Sequence, residues 1–344
     1  MKAITLPSDQ TVAPLGKVVV QEVSGGIQVS FTILMEPQGR EAEGWRTGVA
    51  LDASASMRGW YGRALEGKVP SDVIKDYESK GWVHNIEQDG RKVRSFEQQA
   101  YDDAIRQGFL KFSANLVEPL ARDFVAYLAG SFDVGGSTTL LYWACGDGRV
   151  IEEAGSFTAA QCPLLQVKGP SSAVFGQGTH LLPALRHFIE KFSSAKRGMF
   201  LFVTDGRLDD LDEVVNYTIA LARAIEGDGR NPVKCVLIGV GTGIDEAQME
   251  ILDNLDTGTA IDIWDHKIAR EMRGLVEIFA EVVSDNHIVA PTAIVSDDRG
   301  QVVKKFTDGL PAKATVVLQP GSKAFTVEVS GRRITQPIAI ESKT

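Results

Sequence analysis

Through the middle of the chain, short apolar runs alternate with longer stretches whose apolar residues recur every three or four positions. Residues 47–52 form a mostly apolar run bounded by Gly and polar residues, 199–204 a second, 233–239 a third and 260–263 a weaker fourth. Continuous apolar runs of this length suit parallel strands covered on both faces. Between them, residues 180–192 place Leu181, Leu182, Leu185, Phe188, Ile189 and Phe192 on one helical stripe. Residues 211–226 do the same with Val214, Val215, Ile219, Ala222 and Ile225, and Asp209 or Asp210 can cap the start. Residues 266–283 repeat the pattern with Ile268, Met272, Leu275, Val276, Phe279 and Val283. Strands alternating with amphipathic helices predict an α/β fold: a doubly wound, mostly parallel, Rossmann-like sheet flanked by helices.

The two ends read differently. Residues 17–35 predict two strands joined by a turn at Gly25 and Gly26. From Thr292 onward only strand and turn signals remain: 293–296 and 302–305 flank a turn at 297–300, while 314–318 and 324–329 flank one at Pro320 and Gly321. Such pieces cannot each bury a face alone. Segments 1–44 and 286–344 are therefore expected to pair into one small β-sandwich beside an α/β domain at 45–285. Decoration of two separate sheet edges is the alternative. Residues 58–96 fit neither pattern and read as an insertion holding Trp60, Tyr61, Tyr77, Trp82 and Phe96 among many charges. Helical material follows at about 97–112 and 115–130, and 138–145 looks like a further strand.

Charge narrows the function. Lys and Arg number 36 against 45 for Asp and Glu, a formal net charge of -9 over 344 residues. Nucleic-acid binding needs a basic face, and an anionic membrane repels an acidic chain, so neither is an expected partner. Cations are attracted. No run approaches the roughly 18 apolar residues of a membrane span, and no cleavage-site pattern follows Met1. The expectation is a soluble cytoplasmic protein. Cys145, Cys162 and Cys235 are too few and too far apart for a disulfide framework or a thiolate zinc site, and read as small buried hydrophobes.

The chemistry concentrates at the ends of the apolar runs. Asp52, Ser54 and Ser56 follow the first, which places them at the carboxyl end of the sheet, where open α/β sheets bind ligands. One carboxylate and two hydroxyls on alternate residues are hard oxygen donors that suit Mg²⁺ or Mn²⁺. Alone, the run equally reads as a helix cap. Gly178 and Thr179 lie in a glycine-bearing loop that opens a helix, and Thr204, Asp205 and Gly206 end a second apolar run. Three oxygen-bearing segments at strand-to-helix junctions can converge on one cation.

These three segments resemble a von Willebrand factor type A domain with an intact metal-ion-dependent adhesion site, over roughly residues 45–285. The resemblance implies Asp52, Ser54, Ser56, Thr179 and Asp205 as the metal set. It implies direct bonds from Ser54 and Ser56, with Asp52 and Asp205 holding the metal's waters and Thr179 binding directly or through water. The cofactor implied is Mg²⁺, with Mn²⁺ or Ca²⁺ as alternatives, and the partner is another protein supplying an Asp or Glu to the metal. Thr138 and Thr139 are the weaker candidates, because the family's threonine lies one helix before Thr-Asp-Gly. Ala55 departs from the usual Gly without removing a ligand. The run 201–210 and the β-rich tail are similar to bacterial intracellular members linked to tellurite resistance and stress response. Family members can also move the last helix, here 266–283.

Other signals point elsewhere less well. Gly239, Gly241 and Gly243 have the wrong spacing for a dinucleotide loop and follow a late strand. There is no phosphate-loop motif, no Gly-x-Ser-x-Gly elbow and no His-Glu-x-x-His. His180 adjoins Thr179 and reads as a solvent-exposed helix cap or as part of the metal rim. A metal-dependent hydrolase or phosphatase lacks a placed base or nucleophile, so no catalytic residue is assigned. A metal-independent oligomeric scaffold is the third reading. The insertion emerges beside Ser56, either as a rim that selects the partner or as a cover for a sheet edge.

Overall fold

The computed structural model describes residues 4–7, 10–34, 44–88, 91–241, 243–269 and 288–338. The apolar runs form the centre of a six-stranded sheet. Its strands in spatial order are Val150–Thr158, Ser137–Cys145, Trp45–Asp52, Arg197–Thr204, Val233–Gly239 and Trp264–Ile268. All neighbours are parallel except the first pair. Ranked along the chain, this order is 3-2-1-4-5-6, which reverses direction between Trp45–Asp52 and Arg197–Thr204. A crevice opens at such a switch point, at the carboxyl ends of the strands.

Burial on both faces explains why these runs are mostly apolar. Val49, Leu51, Leu201 and Val203 face one core, into which the helix Val117–Ser131 sends Ala121, Phe124, Val125 and Leu128. Ala50, Phe200 and Phe202 face the other, against the helices Leu182–Lys191 and Leu211–Glu226. Phe188 stacks on Phe200 with ring centroids 4.9 Å apart. Gly48 is small for this reason: a Cβ there would lie 2.5 Å from the Phe188 ring.

The expected fourth run is displaced. The strand is Trp264–Ile268, not 260–263, so the helix expected from His266 does not begin there. The polar spacing of Asp265, His266 and Lys267 imitates a helix. The sheet wins because Trp264 is buried against Phe202, with ring centroids 5.6 Å apart, and Asp265 pairs with the buried Lys234 at 2.7 Å. The remainder of that expected helix, 270–283, lies outside the described residues.

At the ends of the chain, Gly26–Ile33 pairs antiparallel with both Leu15–Val23 and Lys313–Leu318. A second four-stranded sheet holds Ala293–Asp297, Val302–Phe306, Ala324–Val329 and Arg332–Pro337. Phe31 of the first sheet meets Phe325 of the second at 5.0 Å. The buried Gln336 amide accepts from Val12 N–H and donates to Gln10 C=O, tying the two ends of the chain together.

The segment after Ser56 builds its own small core from Val69, Tyr77, Val83, Ala100 and Ala104, with Trp82, Phe96 and Phe109 packed against it. The stretch expected to be helical over 97–112 instead ends in the short strand Leu110–Phe112, because helix Gln98–Arg106 ends before Gly108, which has a positive φ of 77°. Cys145, Cys162 and Cys235 are all buried free thiols. No helix among the described residues is long and apolar enough to cross a membrane.

Candidate metal centre

Strand register brings the first and last oxygen-bearing segments together. Leu51 pairs with Val203, so Asp52 and Thr204 end neighbouring strands on either side of the switch point, with Asp205 one residue beyond. A chain of short hydrogen bonds then runs across the crevice. Ser54 N–H donates to Asp52 Oδ1 at 2.7 Å, Ser54 Oγ donates to Ser56 Oγ at 3.0 Å, and Ser56 Oγ donates to Asp205 Oδ1 at 2.8 Å. Thr204 Oγ1 closes the other side by donating to Asp52 Oδ2 at 2.6 Å. Asp52 is fully buried and Ser54 nearly so, while Ser56 is exposed, so the oxygens lead from the interior to the surface.

No cation neutralises this set: neither Asp52 nor Asp205 forms an ion pair with a Lys, Arg or His among the described residues. Burial pushes the Asp52 carboxyl up to about 6, against the hydrogen bonds from Thr204 and Ser54, and the Asp205 charge adds to the rise. Burial also raises the Asp205 carboxyl, opposed by the Ser56 hydroxyl and the Trp60 indole. Two desolvated carboxylates bridged by hydroxyls, with no basic partner among the described residues, suit a hard divalent cation in donor chemistry and in charge. Among the described residues no group of three or more His, Cys, Asp or Glu is placed to hold a metal. The candidate set differs in kind, with hydroxyls outnumbering carboxylates.

Thr179 is held by its backbone. Gly176 forms a parallel bridge with Ser54, through Gly176 N–H to Ala53 C=O at 2.9 Å and Ala55 N–H to Gly176 C=O at 2.8 Å. Three residues on, Thr179 N–H donates to Asp209 Oδ2 at 2.8 Å and its carbonyl accepts from Asp209 N–H at 2.9 Å. The Thr179 side chain is buried, and among the described residues no hydrogen bond links its hydroxyl to the other four candidates. Thr138 and Thr139 sit inside a sheet strand, where Thr138 bonds Thr47 at 2.7 Å and Thr139 bonds Ser156 at 2.9 Å.

Asp209 and Asp210 act differently from the expected cap. Asp210 precedes the helix Leu211–Glu226 but makes no side-chain cap bond to it. Its carboxylate accepts from Leu181 N–H and Leu182 N–H, both at 2.9 Å, and so caps the start of the other helix, Leu182–Lys191. That helix lacks its own capping side chain because Leu181 stands at the position. His180 is half-buried rather than an exposed cap. Its backbone N–H donates to Gly148 C=O at 3.2 Å.

Sequence reading assigned no role to three contributors. Thr204, named there only as part of its segment, is one. Tyr61 is another: its buried hydroxyl donates to the Asp52 carbonyl at 2.9 Å, so the insertion helps build the site as well as bordering it. Trp60 packs against Gly241, where a Cβ would lie 2.5 Å from the indole. The third is Glu152 on the antiparallel edge strand. Its carboxylate accepts from Ser171 N–H and Oγ, Ser172 N–H and Oγ, and Ala173 N–H at 2.7–2.9 Å. This clamps the loop just before Gly176. Burial raises the Glu152 carboxyl, but these bonds outweigh it and hold the group at about 2. The stabilisation from the clamp is therefore full above the usual 4.5 and is lost as pH falls toward 2. Glu152→Ala is expected to speed hydrogen exchange at Ser171, Ser172 and Ala173 and to weaken Mn²⁺ binding about tenfold. Unchanged exchange at those amides would remove Glu152 from the account.

No known protein-family model matches the chain, and no curated protein matches it in sequence. Among solved structures it is similar to the ArnB paralog VWA2 from Sulfolobus acidocaldarius, at 14% identity over 97% of this chain and 73% of that one, with a TM-score of 0.31. A likeness this loose decides neither family nor function.

Proposed function

We propose that this chain is a von Willebrand factor type A-like module that holds Mg²⁺ at Asp52, Ser54, Ser56, Thr179 and Asp205 and uses it to bind an acidic residue of another protein. Mn²⁺ and Ca²⁺ fit the same oxygen set. The reading rests on one observation: a hydrogen-bonded chain of hard oxygens from Asp52 to Asp205, at the switch point of the sheet, without a basic partner among the described residues. Mg²⁺ keeps several waters and leaves positions for an incoming carboxylate. The cation would bridge this acidic chain to a second acidic surface that otherwise repels it. The terminal strands, read as a small sandwich, form an appendage to the module. The setting is an intracellular, multi-component system of the stress-response type, and the module is not an enzyme.

The test is calorimetric titration with Mn²⁺. The wild type is expected to bind one ion, and Ser54→Ala/Ser56→Ala to lose at least about tenfold in affinity with an unchanged fold, since both direct hydroxyl donors go. Equal affinities would overturn the assignment. Turnover of a simple phosphomonoester with Mg²⁺, abolished in the same variant, would replace it by the hydrolase reading.

A further inference from the structure

Beside the candidate metal loop lie two exposed positive side chains. The chain carries -9 overall, yet Arg58 lies two residues after Ser56 and Arg63 five residues further on, both exposed. Their guanidinium carbons sit 5.9 and 5.7 Å from the centroid of one ring, Phe175. Phe175 immediately precedes Gly176, which bridges Ser54. Tyr61 packs edge-on against the same ring at 5.3 Å while its hydroxyl holds the Asp52 carbonyl. The two arginines are thereby fixed to the wall of the metal loop.

Neither arginine forms an ion pair among the described residues. Among the described residues some arginines pair with carboxylates, such as Arg46 with Asp133 and Arg122 with Glu118, and others, such as Arg186 and Arg223, form no ion pair. Two acids of the neighbouring segments are committed to other groups. Glu152 is taken up by Ser171, Ser172 and Ala173, and Asp205 accepts from Ser56. Two like charges drawn to one ring repel each other, and the attraction of the ring offsets this only in part. An arriving anion relieves the repulsion and meets planar donors suited to a carboxylate.

We propose that Arg58 and Arg63, seated on Phe175, form a rim that receives a second carboxylate of the partner. The partner segment is then an acidic cluster in an extended peptide, with one carboxylate on the metal and a neighbour on the rim. This inference rests on the metal-bridging reading and narrows it from any exposed Asp or Glu to clustered acids. An extended peptide advances about 3.4 Å per residue, so clustered acids present carboxylates at several distances from the one on the metal.

The test compares two labelled hexapeptides, one with a single aspartate among glycines and one with an aspartate followed by two glutamates. Binding is read by fluorescence anisotropy in Mn²⁺ and in chelator, for wild type and for Arg58→Gln/Arg63→Gln, with Mn²⁺ affinity measured separately by calorimetry. In Mn²⁺ and low salt the wild type is expected to hold the triacidic peptide about tenfold tighter, the gap closing as salt is added. The double variant should keep its Mn²⁺ affinity and bind both peptides alike. A variant that still prefers the triacidic peptide, or a wild type that binds Mn²⁺ but does not discriminate, overturns the rim while the metal reading stands. Discrimination that is lost in the variant but equally strong in chelator supports the rim and overturns the metal bridge.

Discussion

Replacing Asp52 by Asn is expected to stabilise the metal-free protein near neutral pH by about 2 kcal/mol while removing its response to Mn²⁺. The stabilisation follows from burial. Desolvation pushes the folded carboxyl to about 6 from 3.8, so between those values the folded state keeps a proton that the unfolded chain has released. Stability in chelator therefore falls as pH rises through this window, and above it the ionised carboxylate destabilises the fold on the order of 3 kcal/mol. Asn has the same shape without the charge. One of the two donors now on Asp52, Ser54 N–H or the Thr204 hydroxyl, must find a new arrangement, which takes back about 1 kcal/mol. The ranking should invert with metal. In chelator, denaturant unfolding places Asp52→Asn above wild type. In Mn²⁺ at a hundredfold over its dissociation constant, wild type gains about 2.7 kcal/mol and the variant gains nothing. If Asp52→Asn is the less stable protein in chelator, Asp52 is not held as a strained anion, and a cation has no such strain to relieve.

The same burial explains which features were legible in the sequence. The strands ending at Asp52, Thr204 and Gly239 are covered on both faces, so each run is mostly apolar and stands out. Ends of buried strands are where oxygen side chains gain meaning, and this is why Asp52, Ser54, Ser56 and Asp205 could be placed at strand ends from the sequence, while their grouping as one set came from the family resemblance. What could not be read depends on partners far away in the chain. Asp210 looks like the cap of the helix it precedes, and only the folded chain shows it turned toward Leu181 and Leu182. Glu152 lies on a half-exposed edge strand, where a carboxylate carries no pattern, and its role exists only because the Ser171–Ser172 turn folds onto it. Trp264–Ile268 was obscured because its polar residues answer to Lys234 and Asp253 rather than to solvent. Tyr61 was grouped with an insertion, yet its hydroxyl belongs to the Asp52 turn.

The second large effect is expected at Gly176, whose φ is not positive and whose need for glycine is one of space. A Cβ there would lie 2.0 Å from the Ala144 carbonyl oxygen and 3.0 Å from the Cys145 carbonyl carbon. Those atoms belong to the end of a buried strand, and Ala144 is already held at a positive φ of 56°, so the strand has little freedom to withdraw. The loop must move instead. Moving it breaks the bonds from Gly176 N–H to Ala53 C=O and from Ala55 N–H to Gly176 C=O, the links between the Thr179 loop and the Asp52 turn. Gly176→Ala should therefore lower unfolding free energy by about 3–5 kcal/mol, from overpacking and two lost hydrogen bonds, and weaken Mn²⁺ binding about tenfold or more. Gly206→Ala is the contrasting case. It lies in the Thr-Asp-Gly segment, but the nearest atom to its added Cβ is Ser56 Oγ at 4.0 Å, an ordinary contact. That variant should unfold within about 0.5 kcal/mol of wild type. Chemical denaturation of both variants, with and without Mn²⁺, separates the two glycines. A Gly176→Ala protein as stable as Gly206→Ala would show that the loop bridge tolerates displacement and does not set the position of Thr179.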